Sequence, residues 1–138
     1  MPARDIFHDA CKTALIKDGW TITSDPYSLR WGGRDLFVDL GAERLVAAER
    51  GTERTAVEIK SFLGPSEMTD LERALGQFVL YRSLMRRLEP DRRLFLAVPE
   101  FALHDIFEQP VGAAMLEDEL ARLVVFDPEK QEIVRWMP

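Results

Sequence analysis

A single cysteine, Cys11, is all that 138 residues offer for disulfide chemistry, so no bridge forms within the chain. That points to a reducing, cytoplasmic setting, and the apolar helical pattern around Cys11 reads as a buried structural thiol. No stretch approaches the ~20 apolar residues that a membrane span needs. The opening MPARDIFHDACK is charged throughout and has no apolar centre, which argues against a secretory signal. Basic charge is in deficit: 18 Lys and Arg face 24 Asp and Glu, for a net charge of −6. This balance argues against nonspecific coating of nucleic acid, while allowing an acidic metal-binding face beside a local basic strip. Arg86, Arg87, Arg92 and Arg93 are the candidate strip, read as a solvated helix end plus loop. Internal repeats and a domain-dividing linker are also absent. No G-x-G-x-x-G opens a helix, so a Rossmann dinucleotide site is excluded.

What is present is ordinary globular chemistry, 46% hydrophobic and 30% charged, in a length that suits one domain over residues 1–138. Phe7, Ala10, Cys11, Ala14 and Leu15 recur at helical spacing between Asp5 and Asp18, and Gly19 supplies the stop. Residues 20–23 read as extended, Tyr27, Leu29 and Trp31 alternate as in a strand, and Leu36 to Leu40 is a short apolar run carrying Asp39. Gly51-Thr52 between residues 43–50 and 54–62 predicts an antiparallel hairpin. Thr69 with Glu72 three residues on is a capping-box pattern, opening a helix to about Leu88 with Leu71, Leu75, Phe78 and Met85 inward. The unbroken apolar run Leu94 to Val98 reads as a buried central strand. A helix over 113–122 and strands over 123–126 and 132–136 complete the chain. The order predicts an α/β fold, a mixed central sheet flanked by helices.

The strongest chemical constellation is Val57-Glu58-Ile59-Lys60 preceded by Asp39. Alternation puts Glu58 and Lys60 on one strand face, roughly 6–7 Å apart along the backbone, with Val57 and Ile59 on the other. Hydrolysis of a phosphodiester with Mg²⁺ or Mn²⁺ needs carboxylate oxygens to hold the ion and a group to balance charge in the transition state. Asp39, Glu58, the Ile59 backbone carbonyl and Lys60 would supply those parts. Alone, Glu-x-Lys reads as a charged pair on a solvated strand face. Its position after a hairpin and before a capped helix argues for a site. The hairpin turn puts Glu58 opposite residues near Leu45, so Asp39 must reach in from a strand start or across the Gly41 bend, with Glu43 the substitute ligand.

Gln77 and Tyr81 lie four residues apart on the helix that follows, hence on one face. With the strand motif they resemble the Gln-x-x-x-Tyr feature of some PD-(D/E)XK nucleases, where such side chains orient substrate or site. His8 and Lys12 share a face of the first helix, where some members of that superfamily carry a glutamate. His8 reads rather as a surface histidine.

Longer runs carry a closer resemblance. PARDIFHDACKTALIKDGW, GGRDLFVDLGAERLVAAE, AVEIKSFLGPSE, ALGQFVLYR, LFLAVP and VVFDPEKQEIVRWMP, together spanning nearly the whole chain, are similar to the XisH family of excision-controlling factors. The resemblance implies a PD-(D/E)XK, restriction-endonuclease-like core of helix-strand-strand-strand-helix-strand order. It also implies a role in programmed excision of a DNA element, beside a small partner called XisI. Asp39, Glu58 and Lys60 would then be the core site, with Gln77 and Tyr81 accessory. A Mg-dependent DNA endonuclease, a non-catalytic nuclease-fold subunit binding DNA or XisI, and a structural or antitoxin-like component all remain open, as does a homodimer.

Overall fold

Two apolar sheet faces, each covered by helix, make the core. The computed structural model describes residues 7–35 and 45–138. Helix α1 (His8–Lys17) leads into strand β1 (Thr21–Ser24), and a two-residue pair, β2 (Arg30–Trp31) with β3 (Arg34–Asp35), stands apart from the main sheet. The chain continues through β4 (Leu45–Arg50), β5 (Glu53–Ile59), α2 (Glu67–Leu88) and β6 (Arg92–Pro99). A short helix α3 (Glu100–Ala102), a π-helical turn at Leu103–Phe107 and α4 (Pro110–Glu117) then precede β7 (Leu123–Asp127) and β8 (Glu132–Met137).

The main sheet has six strands in the order β1-β4-β5-β6-β7-β8. β5, β6 and β7 are parallel, and the outer pairings β1–β4, β4–β5 and β7–β8 are antiparallel. This is the mixed α/β sheet the sequence predicts. The elements of its first four strands run helix, three strands, helix, strand.

Alternation sorts the side chains. Val46, Ala48, Val57, Ile59, Phe95, Ala97, Val124 and Phe126 join Cys11, Ala14 and Leu15 of α1 in one buried cluster. Leu45, Ala56, Leu94, Leu96, Val98, Leu123 and Val125 point the other way, onto Leu71, Ala74, Phe78, Tyr81 and Met85 of α2. With both faces covered, β6 is buried from Leu94 to Pro99, which is why its sequence is an apolar run without alternation.

The β4–β5 hairpin turns on Gly51 and Thr52, with Gly51 at φ +60°, a conformation that costs glycine little. Its register sets Leu45 opposite Glu58, as the turn predicts. Several expectations are corrected. α2 starts at Glu67 and is capped by Ser66, whose Oγ accepts from the Thr69 N–H at 3.2 Å, so the cap lies three residues before the Thr69-Glu72 pattern. The expected strand around Tyr27 shrinks to Arg30–Trp31. The expected 113–122 helix runs Pro110–Glu117, with proline at its start, where a missing N–H costs nothing. The expected strand at Leu36 to Leu40 lies outside the described residues.

Gly112 is where α4 meets the π-helical turn. A Cβ there would fall 2.1 Å from the Ile106 carbonyl oxygen and 2.6 Å from the Phe107 Cα. Backbone cannot yield as a side chain does, so Gly112→Ala is expected to destabilise the fold by at least about 1–3 kcal/mol in urea unfolding. Gly76→Ala, with nothing within 4 Å of the added carbon, is expected to stabilise α2 by about 0.5–1 kcal/mol. Equal stability of Gly112→Ala and wild type would contradict the close packing of α4.

Candidate functional site

β5 lies between an antiparallel and a parallel neighbour, so nothing but alternation decides where its polar residues go. Glu58 shares the parity of Ala56, and Ala56 faces α2. Glu58 therefore projects to the α2 side, between Leu45 of β4 and Leu96 of β6 in register. It is 1% exposed, and Lys60 is 5% exposed. The solvated-face reading of Glu-x-Lys is thereby overturned. Lys60 continues the parallel ladder past the strand end, its N–H donating to the Ala97 carbonyl at 3.0 Å.

α2 is the crossover between two parallel strands and so runs back along them. Leu96 lies about 13 Å along β6 from Arg92, and α2 covers the same length in about nine residues back from Leu88. That brings the stretch holding Gln77 and Tyr81 level with Glu58. Tyr81 is 2% exposed, within the apolar cluster of that face. Gln77 is half-buried, and its Oε1 is enclosed without a hydrogen-bond partner among the described residues. Glu58, Lys60, Gln77 and Tyr81 thus belong to one side of the sheet.

Asp39 and Glu43 lie outside the described residues. Among the described residues, no group of three or more His, Cys, Asp and Glu could hold a metal ion. Glu58 would offer one carboxylate, and Ile59 one carbonyl, to an all-oxygen donor set. That suits a hard cation such as Mg²⁺, which takes one or two carboxylates and completes its shell with water. Burying a carboxylate and an ammonium in apolar surroundings costs several kcal/mol unless opposite charge meets them, so the pair is not an ornament of the surface.

Phe62 was not singled out by its sequence. It holds φ +57°, uncommon for an aromatic residue, two residues after Lys60. Its ring is buried edge-on against Phe107 at 5.7 Å. That contact helps hold the chain where it leaves the site, against a backbone cost of about 1–3 kcal/mol.

The model of the XisH protein family matches residues 1–134. The chain belongs to the XisH family. A crystal structure of an XisH family protein from Nostoc punctiforme PCC 73102 is 39% identical, covers 97% of this chain and 100% of its own, and superposes with a TM-score of 0.88. That of a fdxN element excision controlling factor protein from Anabaena variabilis is 40% identical, covers 98% and 100%, and gives 0.89. No curated protein matches the chain. No helix among the described residues of this XisH family member is long and apolar enough to cross a membrane.

His8 corrects the surface reading: it is 1% exposed. Its Nε2 lies 3.1 Å from Asp25 Oδ1, and Lys12 Nζ donates to Asp25 Oδ2 at 2.6 Å. The shared helix face of His8 and Lys12 was legible, but their common partner is 13 to 17 residues away and follows from no local pattern. Burial alone would raise the Asp25 carboxyl, yet Lys12 and His8 together hold it below the ordinary 3.8. A depressed folded pKa contributes stability that is complete above 3.8 and is lost as pH falls through the lower folded value. Asp25→Asn is therefore expected to cost about 1–3 kcal/mol at neutral pH. Its difference from wild type in urea midpoint should shrink as pH drops below 3.8, whereas a pH-independent gap would contradict the ion-pair account.

Proposed function

We propose that this chain controls excision of a DNA element in the cytoplasm, as a metal-dependent, nuclease-like protein of PD-(D/E)XK type acting beside an XisI-like partner. The family membership and the relative described as an excision controlling factor support the first part. The observation that carries the second is the buried Glu58-x-Lys60 pair at the end of a central strand, on the α2 side. A hard cation bound there would polarise a phosphoryl oxygen and generate the attacking hydroxide.

The remaining work falls to the chain. Glu58, with Asp39 or Glu43, would hold such an ion, joined by the Ile59 carbonyl. Lys60 balances charge that develops on the phosphoryl group, and its burial strengthens that interaction. Gln77 and Tyr81 orient the substrate or the site from α2. The exclusion of water by the surrounding apolar cluster keeps these groups from being screened.

The test is nicking of supercoiled plasmid in Mn²⁺ or Mg²⁺, with and without an XisI-like partner. Wild type is expected to nick, and Glu58→Gln and Lys60→Met to lose ~100-fold or more with their circular dichroism unchanged. Equal cleavage by the variants would refute the site. The net charge of −6 favours a second reading, a non-catalytic regulatory subunit that binds DNA or its partner. A wild type that forms the partner complex but never nicks supports that reading instead.

A further inference from the structure

Five arginines gather around the start of β6, with the Arg93 guanidinium 5.3 Å over the Phe95 ring on the α1 side of the sheet. Arg82 and Arg86 stand one turn apart on α2, Arg92 and Arg93 open β6, and Arg122 leads into β7. Together they line a pocket of about 190 Å³. Arg87, expected to belong to the same strip, turns away and donates to the Ser83 carbonyl and Oγ at 2.8 and 3.0 Å. The structure thus replaces a sequence-local strip with a cluster drawn from three elements.

Two glutamates engage this cluster among the described residues. Glu89 takes Arg92 Nε at 2.8 Å and also accepts from the Tyr27 hydroxyl. Burial and Glu89 push that hydroxyl up to about 12, so Tyr27 stays a donor and the Glu89–Arg92 pair is fully engaged. Glu119 lies near Arg82 and Arg122, but Arg82 Nη1 donates to its backbone carbonyl, at 2.5 Å. No ion pair reaches Arg86, Arg93 or Arg122 among the described residues. Burial first, and the neighbouring guanidiniums second, hold Arg82 and Arg122 below the ordinary arginine range.

A helix C-terminus favours basic residues, which accounts for Arg86 and Arg87 in the last turn of α2. It does not account for Arg93 and Arg122. Crowding like charges costs the free protein stability, in a chain that is otherwise acidic. Guanidinium forks match the oxygens of phosphate, and donors from three directions suit a tetrahedral anion better than a planar carboxylate. The pocket is also smaller than the roughly 300–1,000 Å³ of sites that enclose a whole small ligand.

We propose that Arg82, Arg86, Arg93 and Arg122 form a binding site for a single phosphate group, carried by a DNA backbone or by a small phosphate compound. Arg93 lies three residues, about 10 Å, along the strands from the level of Glu58, and Arg122 lies one residue along but two strands across. The site does not depend on a metal at Glu58.

The test uses the whole chain in EDTA, which keeps it separate from any cleavage. Inorganic phosphate is expected to raise the wild-type melting temperature, and a labelled duplex to bind with salt-dependent affinity. In Arg86→Gln/Arg122→Gln the free protein should melt higher than wild type, because repulsion is relieved. The same variant should lose the phosphate effect and bind duplex at least ~10-fold more weakly, with the slope of log affinity on log salt reduced by about two. Arg87→Gln removes one such charge outside the pocket, as Arg93→Gln does inside it, and should behave as wild type. Arg93→Gln is the second variant if the double one fails to fold, with a slope loss of about one. Stabilisation by phosphate without duplex binding supports a small phosphate compound as the source. A wild type indifferent to both probes, variants that bind as wild type does, or binding of polyglutamate alone would each overturn the proposal.

Discussion

The constraint on which the site depends is strand alternation in β5. Val57 and Ile59 are both wholly buried against α1, so Glu58 between them can only face α2. A one-residue slip would put a carboxylate among Leu15, Phe95 and Phe126 and expel two β-branched side chains from the core. The two-residue turn at Gly51-Thr52 guards against that slip by fixing the β4–β5 register. The burial of Glu58 is thus a consequence of packing on both faces, and its cost is what makes a charged partner or cation physically sensible there.

The same sheet carries two chemically distinct regions. Where β5 finishes, Glu58 and Lys60 sit buried, and α2 begins with Ser66 capping its first turn. Around the start of β6, the end of α2 and the residue before β7, arginines crowd around a small pocket. α2 lies over the Glu58 face and carries Gln77 and Tyr81, and it also contributes Arg82 and Arg86 to the pocket.

Much of this was legible in the residues, and the reason differs from case to case. The apolar run Leu94 to Val98 announced a central strand because covering both faces leaves no room for alternation. The hairpin register could be counted from its turn, so Leu45 opposite Glu58 followed without any structure. The burial of His8 could not, since its partner Asp25 lies beyond a helix and a strand. The cap at Ser66 was missed because Thr69 and Glu72 match the capping-box pattern, whereas Ser66 is followed three residues on by Thr69. The arginine cluster was only half visible: Arg122 joins it through parallel pairing of β7 to β6, which no local spacing encodes. Asp39 and Glu43, the candidates for the second carboxylate, lie outside the described residues. The hairpin count left the choice between them open because it sets Glu58 opposite Leu45, beyond both of them.

The measurement that bears most directly on the central claim is Mn²⁺ titration by calorimetry, comparing wild type, Glu58→Gln and Arg86→Gln/Arg122→Gln. The account predicts saturable binding by wild type and by the arginine variant, and its loss in Glu58→Gln with the fold intact. No binding by wild type, or undiminished binding by Glu58→Gln, would contradict the claim that the buried carboxylate of β5 is the heart of a metal-dependent site.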